Sequence, residues 1–162
     1  GNTEASRESE RRGLELTAYY RLNENWTVDL EYAWTDAEFT DRAPEGDDIP
    51  GAVEDVWQVG FSVDYGNGLF GSLRWRYFGE RPLVEDGSTK SADSSVFNLR
   101  TGYRMERWVL MLDVLNLSDS NDHDIDYFYA SRLPGEPAGG IEDIHYHVLE
   151  PRTLRASVSY TF

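Results

Sequence analysis

The sequence predicts an all-β protein, an antiparallel up-and-down meander of about seven long strands forming part of a transmembrane β-barrel. Three observations predict it. Apolar and polar residues alternate with period 2 through seven segments, the signature of strands with one apolar and one polar face. The connections between these segments alternate short and long, as periplasmic turns and extracellular loops do in outer-membrane barrels. Bulky aromatics stand at both ends of the apolar faces, where two membrane interfaces would lie.

The first segment runs from Arg12 to Leu22, with Leu14, Leu16, Ala18 and Tyr20 opposite Glu15, Thr17, Tyr19 and Arg21. Asn23-Glu24-Asn25 is a short turn. The second runs from Trp26 to about Phe39, setting Trp26, Val28, Leu30, Tyr32 and Trp34 against Thr27, Asp29, Glu31, Ala33 and Thr35. A polar stretch with two prolines follows from Thr40 to Glu54. The third, Asp55 to Gly66, carries Trp57, Val59, Phe61, Val63 and Tyr65 on its apolar face, and Asn67-Gly68 is a two-residue hairpin signal. The fourth, Leu69 to Gly79, opposes Leu73, Trp75 and Tyr77 to Ser72, Arg74 and Arg76. After a polar stretch to Ser94, the fifth, Ser95 to Met105, opposes Phe97, Leu99, Thr101 and Tyr103 to Asn98, Arg100, Gly102 and Arg104. Glu106-Arg107 turns into the sixth, Trp108 to Leu117, where Val109, Met111 and Leu115 share the polar side with Asp113. A loop from Ser118 to Arg152 precedes the seventh, Thr153 to Phe162, in which Leu154, Ala156, Val158, Tyr160 and Phe162 oppose Arg155, Ser157, Ser159 and Thr161.

The 162 residues suffice for one domain. Aromatics reach 14%, and ten Tyr with five Trp outnumber seven Phe, favouring rings with a polar tip. No apolar run is long enough for a transmembrane helix, which leaves a barrel open because half of each strand faces a polar lumen. A formal charge of −15 argues against a nucleic-acid partner. The acidic residues gather between the strands, as in Glu45-Gly46-Asp47-Asp48 and Asp119 to Asp126, and read first as solvated loops. Cysteine is absent, as suits an envelope protein without disulfides. Gly1-Asn2-Thr3-Glu4 opens with no signal peptide, so the expectation is a fragment or a processed chain.

Several stretches resemble the C-terminal end of TonB-dependent receptors, the outer-membrane active transporters. Arg12-Gly13-Leu14-Glu15-Leu16 resembles the R-G-x-E-x signature of a late barrel strand. Trp75, Tyr77, Phe78 and Gly79 resemble an R-Y-x-G stretch before a long loop. Val114-Leu115-Asn116-Leu117-Ser118-Asp119 resembles the N-L-F-D motif, with Ser118 in place of Phe, and Pro151-Arg152-Thr153-Leu154 resembles the start of the last strand. The order and spacing of these motifs cover nearly the whole chain. The resemblance implies a barrel of about 22 strands filled by a plug domain. Residues 1–162 would be its C-terminal portion, with plug and TonB box absent. It further implies energised uptake of a scarce ligand such as a siderophore, a cobalamin-like compound or a glycan, in the bacterial outer membrane. The implied partners are outer-membrane lipid, the plug of the same receptor, TonB and the barrel-assembly machinery.

Seven strands place the first and last parallel, so they cannot close antiparallel on each other. An eighth strand from Tyr127 to Ser131 or Ile144 to Val148 would permit a small stand-alone barrel with a structural or adhesive role. A soluble β-sandwich binding module shares the period but has no reason for two aromatic belts.

No catalytic motif is present: there is no Gly-x-Ser-x-Gly, no phosphate loop and no His-Glu-x-x-His, and no enzyme, cofactor or metal is expected. His145-x-His147 near Glu142 and Asp143 reads as two polar loop residues before it reads as a metal site. Asp119, Asn121, Asp122, Asp124 and Asp126 lack the glycine and glutamate of a helix-loop-helix calcium site. The recognition candidate is the last loop, through Tyr127, Phe128, Tyr129, Arg132, His145, Tyr146 and His147, since loops on rigid scaffolds carry binding residues. The alternative is that these aromatics pack on one another. By resemblance, Tyr160 and Phe162 belong to the signal read during membrane assembly. Inward charges (Glu15, Arg21, Asp29, Glu31, Asp64, Arg74, Arg76, Arg100, Arg104, Asp113, Arg155) carry both signs and are expected to pair with one another or with a plug. Leu16, Leu30, Val59, Phe61, Leu73, Trp75, Leu99, Leu112 and Val158 are expected on the lipid side.

Overall fold

The computed structural model describes residues 7–41 and 43–162. The strands are β1 (Ser9–Arg21), β2 (Trp26–Phe39), β3 (Asp55–Asp64), β4 (Leu69–Phe78), β5 (Ser94–Arg104), β6 (Trp108–Leu115), β7 (His123–Ser131), β8 (Ile141–Val148) and β9 (Thr153–Tyr160). Seven of them form one sheet in the order β1-β2-β3-β4-β5-β6-β9, every neighbour antiparallel. This is the meander that the alternation and the short turns predict. The seventh strand ends at Tyr160 and the sixth at Leu115, slightly inside the expected bounds.

The register explains why the alternation had to be read in phase. Val28, Phe61, Leu73, Leu99, Val114 and Leu154 stand side by side in one row across six strands. The neighbouring row on the other face is Thr27, Ser62, Ser72, Arg100, Asp113 and Arg155. A one-residue slip of any strand would push an arginine or aspartate into the apolar face. All nine side chains expected on the lipid side share that face, from Leu16 on β1 to Val158 on β9.

Neither face is packed into a core. Leu83, Val96 and Val114 are the buried hydrophobics among the described residues, whereas Leu16 is 50% exposed, Phe61 45% and Val158 64%. A water-soluble monomer avoids an apolar surface of this extent. Aromatics mark its two ends. Trp26 meets Tyr65 edge-on at 6.2 Å and Trp108 lies 4.6 Å from Tyr160 at the short-turn end. Tyr32 stacks on Trp57 at 4.0 Å and Trp75 on Phe97 at 6.2 Å toward the long-loop end.

The polar face pairs its charges across strands, as the mixed signs predict. Arg74 lies 3.1 Å from Asp29, Arg100 2.6 Å from Asp113 and Arg104 2.7 Å from Asp64. Gly60 leaves room for the first pair: a Cβ there would fall 2.4 Å from Asp29 Oδ1.

The last loop departs from expectation. Both candidate strands form, but they pair with each other as a hairpin, β7 with β8, and add nothing to the wall. The reason lies at the base of the loop. Asn116 takes a left-handed backbone (φ 49°), which asparagine tolerates, and turns the chain off the sheet. Its buried amide then ties both ends of the excursion, donating to the Ser120 carbonyl (2.8 Å) and the Glu150 carbonyl (3.0 Å) and accepting from the Ser120 N–H (2.9 Å). Asp119 accepts from the Arg152 N–H at 2.9 Å. The N-L-S-D stretch and Pro151-Arg152 therefore form one clamp. With β7 and β8 paired together, β1 and β9 are the two edges of the wall and run parallel, and no antiparallel closure between them exists.

Candidate functional site

Three segments stand at the long-loop end of the wall: 40–54, 79–93 and 116–152, the last containing the β7–β8 hairpin. The first two are bonded to each other through the backbone. The Asp48 N–H donates to the Glu85 carbonyl (2.9 Å), and the Gly51 N–H to the Pro82 carbonyl (2.8 Å). Gly46, with φ 114°, lets this contact close: a Cβ there would lie 2.1 Å from the Glu85 carbonyl oxygen. Arg7, just before β1, spans the same junction. It donates to Asp41 Oδ2 (2.8 Å) and the Gly46 carbonyl (2.9 Å), pairs with Glu85, and lies 4.2 Å over the Phe39 ring. The Arg7 hydrogen bond holds the Asp41 carboxyl below the usual carboxylate range.

The hairpin is fixed to the second segment by a polar cluster. Asp126, almost fully buried, lies 3.3 Å from Arg81 Nη2 and 2.6 Å from His123 Nδ1. His123 in turn stacks on Tyr146 at 3.7 Å, nearly parallel. Asp122 accepts from the Ser95 N–H at 2.7 Å, tying the start of the hairpin to β5.

Between the hairpin and the other two segments lies a cavity of about 510 Å³, lined by Pro50, Gly51, Arg81, Leu83 and residues 124–129. Of the sequence candidates, Tyr127, Phe128 and Tyr129 line it. His145 lies behind, stacked on Tyr129 at 3.9 Å. Tyr146 packs against His123, and His147 lies 2.9 Å from Asp124. Arg132 sits at the hairpin tip and donates to the Glu136 carbonyl at 3.3 Å. Pro50, Arg81 and Leu83 join the lining from positions 41 to 74 residues before Asp124 in sequence, and no local motif marks them.

The acidic run is dispersed. Asp119 holds Arg152, Asp122 holds the Ser95 N–H, Asp124 faces His147, and Asp126 faces Arg81 and His123. Among the described residues no three metal-capable side chains converge.

The family model described as "TonB dependent receptor-like, beta-barrel" matches residues 2–117. The chain belongs to the TonB-dependent receptor β-barrel family. Solved structures with the same fold agree with that membership. The chain is similar to the ferric yersiniabactin uptake receptor FyuA from Yersinia pestis, at 20% identity and a TM-score of 0.76, over 95% of this chain and 24% of that one. It is similar to the siderophore receptor PiuA from Acinetobacter baumannii, at 14% identity and a TM-score of 0.72, over 94% and 22%. It is also similar to the ferric-catecholate import receptor Fiu from E. coli K12, at 18% identity and a TM-score of 0.74, over 95% and 21%. No curated protein matches. The chain thus spans between 21% and 24% of the length of these receptors. For a TonB-dependent receptor barrel, the apolar face between the aromatic belts is the membrane-facing one and the arginine–aspartate rows face the lumen.

Proposed function

We propose that residues 1–162 are the C-terminal wall and outer loops of an outer-membrane receptor for energised uptake of a scarce, bulky ligand such as a siderophore, a cobalamin-like compound or a glycan. In this reading the protein binds and moves its ligand and changes no covalent bond. The observation that carries it is the cavity at the long-loop end, built from an anchored hairpin on a wall with two parallel open edges. Such a wall requires further strands of the same receptor to close, to a total of about 22 by analogy with plugged outer-membrane transporters. The plug domain and the TonB-contacting segment would lie elsewhere in that receptor. The long loops then face outward, and Tyr127, Phe128 and Tyr129 supply aromatic rings to the ligand, those of the two tyrosines with a polar tip, with His145 supporting Tyr129.

The test uses the full-length receptor in cells. Removing residues 123–148 is expected to leave a heat-modifiable, folded barrel and to abolish ligand-dependent growth and uptake. Uptake by the intact receptor is expected to stop when the proton-motive force is collapsed. Uptake that continues unchanged without the hairpin, or without that force, would sink the proposal.

The terminal aromatics carry a second role in the same reading. Trp108, Tyr160 and Phe162 form a contiguous aromatic group at the short-turn end, Tyr160 meeting Phe162 edge-on at 5.1 Å. An open strand edge with alternate aromatic side chains suits capture by strand addition, so Tyr160 and Phe162 act as the signal for the barrel-assembly machinery. Deleting Phe162 is expected to lower the amount of folded receptor in the outer membrane. Unchanged amounts would leave these rings a girdle role only.

A further inference from the structure

We propose that the cavity between the β7–β8 hairpin and the two preceding loops selects a ligand of net positive or zero charge and disfavours anions. The inference rests on the reading of this cavity as the ligand site. Charge is distributed unevenly over the fold. The segments 40–54, 79–93 and 116–152 hold 17 acidic and five basic residues, a net −12 of the chain's −15. The short turns at the opposite end, 22–25, 65–68 and 105–107, sum to −1. The lumenal rows of the wall are nearly balanced, with Arg74, Arg100 and Arg104 each against an aspartate. The negative charge of residues 1–162 is therefore concentrated at the long-loop end.

Among the described residues lining the cavity, Arg81 is the cationic one, and it lies 3.3 Å from Asp126, whose almost fully buried carboxylate offsets its charge. Asp124 adds a second carboxylate to the lining. The surfaces left available are the rings of Tyr127 and Tyr129, each about half exposed, with Leu83 and Pro50 opposite. Tyrosine faces attract ammonium and guanidinium groups through the ring quadrupole and accept flat neutral groups by stacking. A mouth of one sign with low-dielectric walls raises the local concentration of the opposite sign and repels its own. Both effects favour a ligand such as a metal complex whose donor groups cancel the metal charge and that carries a free amine.

The experiment titrates the full-length receptor in detergent with three ferric complexes of similar size and follows intrinsic fluorescence. The probes are a trianionic tris-catecholate, a neutral tris-hydroxamate and the same tris-hydroxamate bearing a free ammonium group. The expected order of affinity is ammonium-bearing, neutral, anionic. The gap between first and last should be about tenfold or more at low salt and should narrow as salt shortens the Debye length from about 30 Å to about 3 Å. Asp124→Lys is expected to shrink the gap, with Asp124→Asn intermediate; both alter a half-exposed side chain and leave the wall intact. The ferric-catecholate import receptor Fiu serves as the positive control for the anionic probe. Tightest binding of the anionic complex, a gap insensitive to salt, or no binding of any probe would overturn the inference. Transport before and after collapse of the proton-motive force is read separately. Energised uptake of the anionic complex leaves the receptor reading standing and removes this inference. Cation-selective binding without energised uptake does the reverse.

Discussion

The wall and the loop apparatus above it are built from the same alphabet by opposite rules. In the wall, each strand repeats one instruction: apolar outward, polar inward, aromatic at the ends. Register alone then brings Val28, Phe61, Leu73, Leu99, Val114 and Leu154 together, and the backbone ladder holds them. In the loops no period exists. Position is set by single side chains that satisfy backbone groups or bury a charge: Asn116 at the base, Asp126 under the hairpin, Arg7 across the first two loops. The wall is therefore sensitive to the face a side chain occupies and tolerant of its identity. The loops are sensitive to identity at a few positions and tolerant elsewhere. That contrast can be broken by experiment.

The largest effect belongs to the wall. Phe61 and Ser62 are neighbours on β3 that point to opposite faces. Phe61→Arg places a charge against lipid and is expected to cost about 2–4 kcal/mol if the site lies near the midplane. Ser62→Arg adds a charge to a row that already holds Arg100 and Asp113, and is expected to change stability by less than about 0.5 kcal/mol. Denaturant unfolding of the full-length receptor in phospholipid vesicles measures both. Equal costs would mean that the two faces do not see different solvents.

The next effect tests the loop rule. Asn116→Ala strands the carbonyls of Ser120 and Glu150 and removes the acceptor of the Ser120 N–H. Each buried group left unpaired costs about 1–3 kcal/mol, although water entering the loop base will recover part of it. The cost is expected to be local. Hydrogen exchange should speed in β7 and β8 and stay unchanged in β3 and β4. Loss of protection throughout the wall would show that clamp and wall are one cooperative unit.

The same contrast explains what was legible in the sequence. All seven wall strands could be read, with ends within a few residues, because the two solvents on either side of a barrel wall impose a period on every strand. The lumenal pairs were foreseen as a class for the same reason. Partner choice, such as Arg104 with Asp64, was not, because it depends on register between strands. The hairpin was half legible: the segments near Tyr127 and Ile144 showed strand character, but whether they join the wall depends on Asn116, whose left-handed turn leaves no periodic trace. The cavity was legible only on its hairpin side. Tyr127, Phe128 and Tyr129 stand out as an aromatic run, whereas Arg81 and Leu83 gain meaning only from a partner about 45 residues away, and nothing local announces it.

The smallest effect concerns the Arg7 bridge. Arg7 hydrogen-bonds Asp41 and its charge acts in the same sense, so the Asp41 carboxyl is held below its ordinary value. A carboxyl depressed in the folded state contributes stability that is present above its unfolded pKa, about 3.9, and is lost as the pH falls through the lowered folded value. The bridge should therefore hold unchanged through neutral and mildly acidic conditions and loosen only below about pH 4. The group is solvent-accessible, and the loss should be confined to the junction of the first two loops. Hydrogen exchange of the Asp48 and Gly51 amides, which donate across this junction, followed across a pH series and corrected for intrinsic rates, measures it. Arg7→Ala should remove the acid step, leaving these amides equally weakly protected at all pH values. Arg7→Lys should retain the charge but lose the forked contact to Asp41 and the Gly46 carbonyl, giving a step of reduced size. An acid step of full size in Arg7→Ala would assign it to other carboxylates of the loops and leave the bridge without a share in holding them together.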